Sequence, residues 1–140
     1  MADVSVTANN VLVADSVRVS AVETAVTVTA GKVMVYDSAN ANYVLASNAS
    51  ALLSGSAGAL PVVMTVGSAG ANQRVAVVGA GNTITLGSVL TKGRVYVLST
   101  NGNISPESDA ATNDYLVIIG HAISATELYF NPQSTGIQVA

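Results

Sequence analysis

Apolar and polar residues alternate through the first third of the chain. The runs Val4-Ser5-Val6-Thr7, Val17-Arg18-Val19-Ser20, Val26-Thr27-Val28-Thr29 and Val33-Met34-Val35-Tyr36 repeat their valines every second position, which places them on one face of an extended chain. Valine and threonine favour this conformation because branched side chains fit a pleated surface. Asn9-Asn10, Ala30-Gly31 and the polar stretch 37–42 separate the runs as turn formers. Further strands are expected at 61–66, 74–78, 83–86, 94–98, 115–119 and 127–130. Asn101-Gly102 is the strongest turn signal, because a type I′ turn needs positive φ at both central residues. It is expected to join 95–99 to a short return strand at 103–105.

Only one stretch invites a helix. In SNASALLSGSAGAL, residues 47–60, Ser47 or Asn48 is placed to cap a single turn that runs through Leu53 and stops at Gly55. The segment GSAGAN, 67–72, reads as a surface loop. Short strands at regular spacing argue for a barrel or sandwich and against βαβ units. The expectation is an all-β chain: one small domain over 1–140, built as a barrel or sandwich of short antiparallel strands. At most one short helical turn is expected, near 48–54, and residues 1–13 form a candidate N-terminal arm.

VTAGKVMVYD (28–37) and LTKGRVYVLS (90–99) share a glycine, a basic residue and then V-x-V, at an offset of 62. A duplication would produce this echo. Two strands that begin with the same common turn parts explain it more simply.

Composition narrows the function. Half of the residues are hydrophobic, yet only five are basic and eight acidic, for a formal net charge of −3. An average domain of this length carries roughly 35 charges. Five scattered cations do not make a phosphate clamp, so nucleic acid is not an expected partner. The apolar content is too high for a disordered chain. Cysteine is absent, which excludes disulfides, thiolate metal sites and a cysteine nucleophile. The opening MADVSVTANN has no basic and then apolar leader pattern, and no run of about 18 apolar residues occurs, so neither secretion nor a membrane partner is expected. Mean hydropathy is nonetheless positive, at +0.51. A surface with so few charges is wetted by Ser, Thr, Asn and Gly, covered by partner subunits, or both.

Candidate chemistry is sparse. VAVVGAGNTI, 75–84, begins like a dinucleotide-binding turn, but Ile84 stands where a small residue is required and an alternating strand follows instead of a helix. It reads as a hairpin turn. His121 is the only histidine; a small hydrolase would have to use it, yet no G-x-S-x-G elbow supplies a nucleophile. Glu107, Asp109 and Asp114 form an acidic loop without calcium-loop spacing. Asn48 and Asn103 open glycosylation sequons that lack a secretory context. The tyrosines, at 36, 43, 96, 115 and 129, are spread along the chain. No catalytic residue, metal site or cofactor is expected, and the chain is not expected to be an enzyme.

Three stretches together carry a resemblance: GKVMVYDSANANYVLAS (31–47), GRVYVLSTNGNISP (93–106) and DAATNDYLVIIGHAISATELYFNP (109–132). They resemble the capsid decoration, or cement, proteins of tailed bacteriophages. Gly93, Val95, Tyr96, Ser99 and Pro106 match that family's strand, turn and proline; Asp114, Tyr115 and Gly120 match its acidic loop and apolar strand; Ser124, Ala125 and Thr126 match its hairpin. About half of the chain is covered. The resemblance implies a structural virion protein made in the host cytoplasm and located on the head exterior. It implies the major capsid protein as partner, self-association as a homotrimer, and no cofactor. Val4, Val6, Val11 and Val13 are candidate capsid or subunit contacts, because an alternating segment can add a strand to an exposed sheet edge. The alternative is a phage tail, fibre or adhesin-type module that binds carbohydrate through tyrosines and asparagine-rich loops.

Overall fold

The computed structural model describes residues 3–50, 53–55 and 61–139. Ten strands follow in chain order: β1 (Ser20–Glu23), β2 (Val33–Asp37), β3 (Asn42–Leu45), β4 (Val62–Thr65), β5 (Arg74–Val78), β6 (Asn82–Thr85), β7 (Val95–Leu98), β8 (Ile104–Pro106), β9 (Tyr115–Ala122) and β10 (Glu127–Gln138). They form two five-stranded antiparallel sheets in one small all-β domain, with no closed barrel. The short helical pieces are 3-10 turns at Ala8–Asn10 and Glu107–Asp109. Residues 51 and 52 of the expected helical turn lie outside the described residues. Around them, the Ser54 amide donates to the Ser50 carbonyl at 2.9 Å and the Leu53 amide to Ser50 Oγ at 3.3 Å.

The two sheets repeat one topology. Their strand orders are β1-β5-β4-β2-β3 and β6-β10-β9-β7-β8, so adding five to each label of the first gives the second. Ser20 and Asn82, Val33 and Val95, and Asn42 and Ile104, which open the paired strands, all stand 62 positions apart. Hydrogen bonds repeat as well. Gly31 donates to the Thr65 carbonyl at 2.8 Å and Thr65 returns a bond to Lys32; Gly93 donates to the Ala122 carbonyl at 2.7 Å and Ala122 returns one to Arg94. Both glycines have positive φ, +89° and +81°, which a side-chain-bearing residue adopts only at a cost. The echo seen in the sequence is thus one part of a doubled architecture.

The halves stack in the same sense rather than face to face. Val28, Met34, Val75 and Val77 enclose a small core of their own on one face of the first sheet. Their counterparts Leu90, Tyr96, Leu128 and Phe130 belong to the main core, between the sheets. Val33, Val35, Met64 and Val78, on the other face of the first sheet, fill that main core from the opposite side. On the matching face of the second sheet Val97 and Ser105 are buried, while Val95 is half-buried and His121 exposed.

Each edge strand accepts at least one hydrogen bond from outside its own ladder. Arg74 donates to the Ala21 carbonyl at the β1 edge, and Ala25 to the Tyr43 carbonyl at the β3 edge. The N-terminal segment serves both edges of the second sheet. Val4 donates to the Ile104 carbonyl on β8 at 2.8 Å, and Leu12 exchanges two bonds with Thr85 on β6, at 2.9 and 2.8 Å. Between these anchors Val6 lies over Gly31, so close that a Cβ there would stand 2.6 Å from Val6 Cγ1. Edge groups bonded in this way do not template pairing with other chains.

Several local expectations change. Residues 4–7 form no strand; they belong to this N-terminal segment. Strand β1 starts where the expected strand 17–20 ends, and 26–29 contributes only the Val28–Ala69 bridge. Strand β3 emerges after a tight turn in the polar stretch, with Ala41 at φ 54°. Asn101 and Gly102 take φ of 55° and 72° and close the β7–β8 hairpin as expected. The turn at 79–81 is no hairpin, because it carries the chain from β5 in one sheet to β6 in the other.

Candidate functional site

A depression lies on the outer face of the second sheet. Strand β9 bulges at Ile119: Tyr96 pairs with Gly120 but Val97 pairs with Ile118. Strand β10 also slips, pairing Phe130 with Gly120 and Gln133 with Ile118. Bulges bend a sheet and redirect its side chains. Here they open a cleft of about 190 Å³ lined by Val95, Ile118, Gly120, His121, Tyr129, Asn131 and Gln133. Gly120 is required on grounds of space, since a Cβ would stand 1.9 Å from the Tyr129 carbonyl oxygen.

His121 and Tyr129 are a cross-strand pair with ring centroids 5.6 Å apart, inclined at 51°. The side chains of His121, Tyr129, Asn131 and Gln133 make no hydrogen bond to any described residue. Their donors and acceptors all remain available to a ligand. The sequence singled out His121 and Tyr129 separately and missed Asn131 and Gln133. The usable signal was the alternation Tyr129, Asn131, Gln133 beside a strand containing Gly120-His121; what joins the two strands is register.

The other candidates are placed apart from this cleft. Glu107 and Asp109 sit in a 3-10 turn. Asp114 accepts the Ala111 amide at 2.9 Å and lines a separate depression with Asp3, Asn48, Ser99 and Thr100. Among the described residues no three His, Cys, Asp or Glu side chains gather as a metal site. The tyrosines do not share a face. Tyr96 is buried and accepts the Thr91 amide at 2.9 Å, while Tyr36 and Tyr43 meet edge to face at 5.3 Å on the first sheet.

Burial, and secondarily the neighbouring Tyr36 phenol, raise the Tyr43 pKa above the ordinary 10.0. A raised pKa favours the neutral folded form. Its contribution to stability is complete below pH 10 and is lost as pH rises through the raised value. In an alkaline absorbance titration Tyr43 is expected to ionise late, and Tyr43→Phe removes that late component. A curve unchanged in shape by the substitution contradicts the assignment.

Val11 is buried, and Val4, Val6 and Val13 are half-buried against the main core. The larger exposed aliphatics are Leu12 (61%), Ile137 (59%), Val19, Ile123 and Val26. No helix among the described residues is long and apolar enough to cross a membrane. No family model, curated protein or solved structure matches the chain.

Proposed function

We propose that the chain is a structural virion protein that binds the outside of a tailed-phage head and stabilises the capsid. The observation that carries this reading is the surface: Leu12, Ile137, Val19, Ile123 and Val26 are exposed on a chain with 9% charged residues. Such aliphatic positions become favourable when a scaffold covers them, at about 25 cal/mol per Å² of apolar area removed from water. Contact with the major capsid protein is made by these side-chain faces. Self-association as a homotrimer multiplies weak contacts by holding several at once. Ligands that bind one state stabilise that state by mass action, so binding that favours the mature shell holds it against internal pressure. This work needs no chemistry and no cofactor. The molecule then resides on the head exterior after synthesis in the host cytoplasm.

The test is co-sedimentation of the purified protein with empty heads that lack it. Saturable pelleting is expected, weakened by the double substitution Leu12→Asp and Ile137→Asp. Protein that stays in the supernatant at every concentration contradicts the proposal. The second reading, a tail, fibre or adhesin-type module binding carbohydrate, is favoured by the cleft beside Tyr129.

A further inference from the structure

The geometry points to the cleft on the outer face of the second sheet as a binding site for one neutral sugar ring of a glycan. Its lining offers the two chemistries that a sugar needs together. The Tyr129 ring and the methyl groups of Val95 and Ile118 form an apolar wall for the C–H face of a pyranose. Asn131 and Gln133 present amides, each able to donate and accept, and sugar hydroxyls do both as well. These amides, the His121 ring and the Tyr129 hydroxyl are not spent on bonds within the described protein. They lie at the surface, so a ligand hydroxyl can take the place of solvent at each of them.

Size and charge argue against drug-sized and phosphate-bearing ligands. At about 190 Å³ the cleft is smaller than the roughly 300 Å³ at which drug-sized pockets begin, so it holds one ring and leaves the rest of a chain outside. No Lys or Arg lines it, which removes the cation that a phosphate or a nucleic-acid backbone requires. The doubled architecture sharpens the contrast. The pair Val33–Met64 in the first half has Val95–His121 as its counterpart. In the first half these positions are buried in the main core; in the second they face out, and a histidine with free nitrogens replaces the methionine. Gly120 lies between the two strands of the cleft, where a Cβ would meet the Tyr129 carbonyl oxygen at 1.9 Å.

This assignment does not depend on where the molecule sits in a virion. The experiment is saturation-transfer NMR on the full chain with the methyl glycosides of glucose, galactose, rhamnose and N-acetylglucosamine. Inorganic phosphate, an oligothymidylate and the acyclic polyol sorbitol are the comparison probes. At least one glycoside is expected to receive saturation at millimolar concentration, with amide shifts confined to Gly120, His121, Tyr129, Asn131 and Gln133. Tyr129→Ala is expected to abolish the transfer. Gln133→Ala alters only an exposed side chain and keeps the fold, and it is expected to weaken affinity about tenfold. Silence with every glycoside, shifts elsewhere on the protein, or binding of phosphate or oligothymidylate in their place would overturn the assignment. Unchanged affinity in Gln133→Ala would do the same. Head co-sedimentation of Gln133→Ala, expected to match the parent, separates failure of this site from failure of the decoration role.

Discussion

Gly120→Ala is expected to cost about 3 kcal/mol or more of stability, a large part of what a domain this size possesses. The added methyl would stand 1.9 Å from the Tyr129 carbonyl oxygen, and that oxygen belongs to the adjacent strand rather than to a side chain able to swing away. Relief requires β9 and β10 to separate where Phe130, fully buried in the main core, anchors the second sheet. Gly79→Ala is the matched control, since among the described residues nothing lies within 4 Å of a Cβ at that position and its φ is not positive. It is expected to fall within about 0.5 kcal/mol of the parent. Urea midpoints measured on both variants decide the matter. Equal midpoints would mean that the bulge at Ile119 does not hold the strands at this spacing.

Deletion of residues 2–13 is expected to be as damaging, at roughly 3 to 5 kcal/mol. Val11 is buried, Val4, Val6 and Val13 pack on the main core, and the segment bonds to both edge strands of the second sheet. Its loss uncovers the Thr85 amide, which donates to the Leu12 carbonyl at 2.8 Å. Hydrogen exchange at Thr85 should then accelerate, and the bared β6 edge should promote association. An arm that serves only to grip a capsid predicts a different pattern: unchanged urea midpoint, unchanged exchange at Thr85, and loss of head binding alone.

Turn chemistry was the most legible part of the fold in the sequence. Asn101-Gly102 announces its hairpin because two successive positive φ values admit few residue pairs. Strand β5 was placed residue for residue, and β2 and β7 nearly so, because turn formers or basic residues bound their apolar runs. Strand β3 was obscured. Tyr43, Val44 and Leu45 do not alternate, since the first sheet has a core on each face: Val44 packs in one, Tyr43 and Leu45 in the other. Residues 26–29 alternate well but have only one sheet contact, at Val28. Alternation records which side is covered, not whether a partner strand exists.

The repeated topology left one visible echo in the sequence because its halves use their faces differently. Met34 and Tyr96 occupy matching positions, yet one fills the small core and the other the main core, so their sizes differ. Beyond β3 and β8 the starting offset falls from 62 to 53, as β4 begins at Val62 and β9 at Tyr115, and a search at a fixed period stops there. The cleft was hidden for a related reason. His121 and Tyr129 are eight positions apart and become neighbours only through the β9–β10 register, which Ser124 helps to set by accepting the amides of Thr126 and Glu127 at the hairpin.

The role proposed for the chain is mechanical, and heating heads while following DNA release measures it most directly. Heads assembled without the protein should release DNA at a lower temperature than complete ones, and adding purified protein back should restore the higher temperature in proportion to the sites filled. Release at the same temperature with and without the protein, at full occupancy of the heads, would contradict a stabilising role.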